Sequence, residues 1–112
     1  MFQQNNKVLI CFILRFIMDL KEAIMRRFLR KLMNLNMWGG KHTEIKNLQK
    51  ALPDHLRGTK EMKKAVKELI DRGFLNVKPS TGELHISLNS HKQKEIYDFL
   101  QENGKNEANS YN

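Results

Sequence analysis

Four lysines, Lys60, Lys63, Lys64 and Lys67, recur at intervals of three and four residues and are the side chains best spaced to do chemistry together. At 3.6 residues per helical turn, this spacing places their ammonium groups on one helix face. Such a face attracts polyanions. Arg57 and Thr59 stand just upstream and Lys78 follows, so that from Arg57 to Lys78 seven cations meet three anions. The whole chain has a formal charge of +8, a surface potential that favours nucleic acid or an anionic membrane face over neutral or basic partners. The plainer reading is that these lysines only solvate the helix, with Glu61 and Lys64, or Lys64 and Glu68, forming weak local pairs.

No comparable grouping supports catalysis. His42, His55, His85 and His91 lie in separate segments and form no motif of metal-ligand spacing. His85 reads as a strand side chain facing solvent. The glycines follow no phosphate-loop spacing, and Ser80, Ser87 and Ser90 fall at a turn, a strand and a helix cap, where a serine has structural work. Neither an enzyme, a metal site nor a cofactor is expected. Cys11 is the only cysteine, so no intramolecular disulfide can form, and a cytoplasmic location is expected. With a single Trp38 there is no ladder of stacking platforms, which favours duplex over single-stranded nucleic acid.

The elements that would position the lysines are legible from periodicity. The chain has 112 residues, 40% of them hydrophobic, enough for one small domain with one core. Residues 1–17 read as an apolar extension, either a translated leader or a dimerising helix. The run from Val8 to Met18 is too short and too interrupted, by Arg15, to span a bilayer, and attachment to a membrane surface is the lesser alternative. The domain proper occupies residues 18–102. From Asp19, Leu20, Ile24, Phe28 and Leu32 mark a first helix, with Arg26, Arg27, Arg30 and Lys31 opposite. Asn34, Asn36 and Gly39-Gly40 end it, and a short extended piece follows through Lys41 and His42. Trp38 is expected to bury its ring at a core or strand edge.

Thr43 is expected to cap a second helix through Leu52, ended by Pro53. After the linker, where Leu56 can anchor to the core, Thr59 caps a third helix. Its apolar side is Met62, Ala65, Val66, Leu69 and Ile70. Gly73 supplies a left-handed helix end and Phe74-Leu75 leads straight into a strand. Alternation through Leu75 and Val77, a turn over residues 78–83 with Gly82, and alternation through Leu84, Ile86 and Leu88 predict a hairpin. Ser90 and Gln93 have the spacing of a capping box ahead of a last helix with Ile96, Tyr97, Phe99 and Leu100. Residues 103–112 are too polar to bury and are expected to be disordered.

This order of helix, short strand, two helices, hairpin and helix resembles the winged helix-turn-helix superfamily of small MarR-like and archaeal-type regulators. The resemblance covers about residues 18–100 and is carried by Thr43-Glu44-Ile45 and by Glu68-Leu69-Ile70-Asp71-Arg72-Gly73-Phe74-Leu75. It implies an α+β fold: a three-helix core with a two-stranded β-wing and a C-terminal helix. It also implies a homodimer that binds double-stranded DNA as a transcription regulator, with the helix over residues 59–72 in the major groove. In that mode Arg57, Thr59 and Lys60 lie nearest the bases, Lys63, Lys64 and Lys67 meet phosphates, and Lys78 reaches the backbone from the wing. The helix body lacks the Arg, Asn and Gln that read base edges, so specificity should be modest. The competing function is a winged-helix module that docks on an acidic protein partner.

Overall fold

A computed structural model describes the backbone of residues 2–80 and 82–101, and their side chains except those of residues 2–8, 12, 14, 17 and 18. The tail expected to be disordered therefore lies outside the described residues, but for its approach at residue 101.

The first element is one uninterrupted helix, α1 (Phe2–Asn34), with no break at residues 17–18. No glycine or proline occurs before Gly39, so nothing in the chain's chemistry stops the helix sooner. Its 33 residues extend about 50 Å at 1.5 Å per residue, and its two halves differ in surroundings. Ile24, Met25, Phe28, Leu29 and Leu32 are buried, whereas Leu9, Ile10, Ile13 and Phe16 are exposed. Asn36, at φ 58°, closes the helix in the left-handed region: its N–H reaches Met33 O, and Met37 N reaches Leu32 O. Among the described residues no helix is long and apolar enough to cross a membrane.

β1 (Thr43–Glu44) and α2 (Ile45–Gln49) follow. The second helix is thus shorter than its periodicity predicts, and Thr43 is not its cap. Thr43 pairs with Ile86 in the sheet, is buried, and its Oγ1 accepts from Asn47 Nδ2 at 3.2 Å. Strand pairing has won over local capping there. A 3-10 turn, Asp54–Leu56, crosses the linker and lays half-buried Leu56 against the core.

α3 (Lys60–Asp71) begins at the expected cap: Thr59 Oγ1 accepts from Met62 N at 3.3 Å and donates to Leu56 O at 2.7 Å. It ends in a Schellman motif, in which Gly73 at φ 79° bonds to Ile70 O while Phe74 N bonds to Leu69 O. Leu69 and Phe74, both buried, supply the apolar contact that accompanies this closure.

β2 (Leu75–Ser80) and β3 (Glu83–Leu88) form the hairpin, paired from Leu75↔Leu88 to Ser80↔Glu83, so the strands run closer to the tip than expected. The sheet order is β1-β3-β2, all antiparallel. Pro79 is tolerated because β2 is an edge strand. Trp38 makes a single bridge to Leu88 and is half-buried, with its ring 6.3 Å from that of Tyr97.

The last helix, α4, spans residues 93–101, after a 3-10 turn, Ser90–Lys92. Asn89, rather than Ser90, organises its start: Oδ1 accepts from His91 N at 3.1 Å, and Nδ2 donates to Gly73 O at 2.8 Å. This ties the entrance of α4 to the exit of α3. Ile96 and Phe99 complete one core shared by α1, α2, α3, β2, β3 and α4. The fold is α+β, with a small three-stranded antiparallel sheet and the helices packed around it.

Candidate functional site

Met62, Ala65, Val66 and Leu69 of α3 are buried, and this fixes which way the rest of the helix must point. Lys60, Lys63, Lys64 and Lys67 fall within an arc of about 100° on the opposite side, and all four are exposed. The helix is also braced at its flank. Lys21 of α1 donates to Glu68 Oε1 at 3.1 Å, and Arg72 reaches Glu68 Oε2 at 3.4 Å. The Lys21 hydrogen bond, more than any other neighbour, holds the Glu68 carboxyl below its ordinary value; the Arg72 charge adds to it. Glu68 thus links the flank of α3 to α1 beside the lysine face.

The lysines are not equivalent. Lys67 Nζ pairs with Asp71 Oδ2 at 2.8 Å, one turn on, and that hydrogen bond is the main cause raising its ammonium pKa. Lys64 and Lys67 also border a shallow depression of about 200 Å³ with Lys21, Glu68 and Asp71. Lys78 is exposed on β2, opposite His85 of β3.

Arg57 and Thr59 are committed to the local structure. Arg57 Nε donates to Leu52 O at 3.0 Å and Gln49 O at 3.1 Å, while Nη1 meets Asp54 Oδ1 at 2.7 Å. The guanidinium thus satisfies carbonyls at the end of α2. The Thr59 hydroxyl is occupied in both directions by the cap. Arg57 keeps further N–H donors on its exposed guanidinium for a base contact, whereas a contact from Thr59 would compete with the cap. Of the seven residues singled out from the sequence, the four α3 lysines share one exposed face, Arg57 and Thr59 sit at the helix entrance, and Lys78 stands on the hairpin.

A second grouping was not visible in the sequence. His85 is half-buried rather than facing open solvent, and its Nδ1 lies 2.7 Å from Nδ1 of His42, with the rings edge to face at 4.7 Å. One imidazole must donate and the other accept at that distance. Glu44 pairs with His85 across β1 and β3, and Glu83 lies two residues from His85, hence on the same sheet face. Ligand atoms of Glu44, Glu83 and His85 all fall within 4.8 Å of one another. Lys46 Nζ hydrogen-bonds to Glu83 Oε1 at 2.8 Å, the leading cause holding that carboxyl below its usual value. The two histidines are 43 residues apart, so no i, i+3 or i, i+4 search could pair them. The one available signal was strand register: alternation aligns Glu44 with His85 once β1 is known to pair with β3.

Comparison with family models, with curated proteins and with solved structures finds no match for this chain.

Proposed function

We propose that the protein is a winged-helix, double-stranded DNA-binding protein, most simply a transcription regulator, in which α3 meets the major groove. The observation that carries this reading is the exposed face of Lys60, Lys63, Lys64 and Lys67, held outward by burial of Met62, Ala65, Val66 and Leu69. Supporting it are the order α1-β1-α2-α3-β2-β3 and the three-stranded sheet order β1-β3-β2, an α+β arrangement compatible with a helical core carrying a wing. Phosphate contact by lysine is electrostatic and only weakly directional, so the face suits affinity more than base reading. With Thr59 engaged in the cap and Arg57 only partly engaged, sequence preference would come from Lys60, from the remaining donors of Arg57 and from duplex shape.

A homodimer belongs to this reading. Leu9, Ile13, Phe16 and Leu20 are spaced four, three and four residues apart, the 3.5-residue period of a two-helix seam, and the first three are exposed. Light scattering at tens of micromolar should return twice the chain mass, and a monomer there would remove the dimer from the account.

Selection of bound sites from a random duplex library tests the function. Enrichment of a two-fold symmetric site is expected, with half-sites about one helical turn apart. Failure to retain any duplex at low salt would instead favour a winged-helix module that docks on an acidic protein partner.

A further inference from the structure

We propose that His42, Glu44, Glu83 and His85 form a binding site for a divalent transition-metal ion of the zinc class, built across β1 and β3. The four residues tile one face of the ladder two by two. His42 and Glu44 come from one side, Glu83 and His85 from the other, with Glu44 directly opposite His85. Ligand atoms of Glu44, Glu83 and His85 already lie within 4.8 Å of one another, and His42 meets this group through its 2.7 Å contact with His85, so its ring must swing toward the carboxylates to serve as the fourth ligand. All four residues are half-buried, which limits competing hydration while leaving an ion access.

The ligand types select the ion. Two nitrogen and two oxygen donors suit tetrahedral zinc, whereas calcium and magnesium prefer all-oxygen sets. Two carboxylates match the charge of a dication. Bonds of about 2.0–2.1 Å at a tetrahedral angle put the imidazole nitrogens about 3.3 Å apart, so the pair must open by only about 0.6 Å. The proton balance is simple. The ring that donates from Nδ1 in the hydrogen bond takes the Nε2–H tautomer instead, exchanging its proton with solvent, and both Nδ1 lone pairs then face the ion with no net proton released. Lys46 is the one competitor with a direct bond, at Glu83, and its side chain is largely exposed and can leave. The bound ion would cross-link β1, which joins α1 to α2, with β3 of the hairpin, and would favour the folded state. This site does not depend on the duplex-binding reading.

The test is a titration of the tag-free, full-length protein with Co²⁺, followed by displacement with Zn²⁺. The expected result is the intense visible absorption of four-coordinate cobalt, saturating at one ion per chain, lost on adding zinc, together with a zinc-dependent rise in melting temperature. His42→Gln and His85→Gln should each weaken binding by more than about 100-fold, beyond what loss of a mere supporting contact does. Glu44→Gln should weaken it as well, and it serves as the second variant if circular dichroism finds a histidine variant unfolded. Lys46→Gln, by releasing Glu83, should tighten binding. His55→Gln and His91→Gln, at exposed positions elsewhere, should bind as the parent does. Absence of the cobalt spectrum, or a spectrum that survives loss of His85 and Glu44, would overturn the assignment.

Discussion

The outer face of α3 and the outer face of the β1–β3 ladder are both polar surfaces over the same core, yet they are built in opposite ways. On α3, four like charges arise from one stretch of eight residues, and of these four only Lys67, with Asp71, is paired with a counter-ion among the described residues. On the ladder, residues about 40 positions apart meet and satisfy one another, His42 with His85 by a hydrogen bond and Lys46 with Glu83 by an ion pair. The first surface is suited to a large polyanion that supplies the missing charge. The second is closed on itself and suited to something small. Spatial separation of like charge makes a long-range attractor, whereas convergence of mixed donors makes a short-range pocket.

Both faces rest on one core, and the strongest way to break the comparison is from below. Leu69 is fully buried beneath the lysine face, and Leu69→Ala should cost about 2–5 kcal/mol of stability in chemical denaturation. The transition should remain single, since α3 and the sheet share the same apolar cluster. Two separate transitions would mean that the faces belong to independent units.

A crossed pair of variants sharpens the contrast next. Replacing Lys60, Lys63 and Lys64 by Ala should reduce the salt slope of duplex binding by about two, one for each of the phosphate contacts of Lys63 and Lys64, and leave cobalt binding intact. His85→Gln should do the reverse. If the histidine variant also lost duplex affinity at constant salt, the two faces would be coupled rather than distinct.

Smaller effects probe how α3 is held. Thr59→Ala removes the cap and should cost about 1 kcal/mol, read as a lower denaturation midpoint with unchanged slope. Glu68→Gln should cost less than about 1 kcal/mol at neutral pH, because the pair with Lys21 is partly exposed. Its pH signature is specific. Folding lowers the Glu68 pKa below the ordinary value of about 4.5, so its contribution is full above that value and fades as pH falls through the folded-state value. The Gln variant should therefore lose less stability than the parent on acidification, and parallel stability curves would remove Glu68 from this role.

What was legible in the sequence follows the same divide. α3, its cap at Thr59, its glycine exit and the hairpin are set by local periodicity and local hydrogen bonds, and each lies where the residues predict. The lysine face followed from the same spacing. Elements decided by distant partners did not read as well. Thr43 looks like a cap because its hydroxyl suits one, but pairing with Ile86 draws it into a strand. Ser90 and Gln93 have capping-box spacing, yet Asn89 bonds to Gly73 sixteen residues away and sets the start of α4 itself. The first helix was expected from Asp19, where the core-facing stripe begins, whereas the backbone stays helical upstream without a core to cover it. His85 was placed in solvent because alternation gives the face of a strand but not what crosses it.

The most direct measurement of the central claim is fluorescence anisotropy of a labelled random-sequence duplex as a function of salt. The parent is compared with the Lys60, Lys63 and Lys64 triple-Ala variant and with a charge-matched control that removes the exposed Lys41, Lys50 and Lys94. Four phosphate contacts, from Lys63, Lys64, Lys67 and Lys78, predict that the logarithm of affinity falls by about 3 to 4 per protomer for each tenfold rise in salt. The triple variant should lose about half of that dependence and the control should keep it. Equal losses in the two variants would mean that net charge, and not the face built by α3, attracts the duplex, contradicting the account.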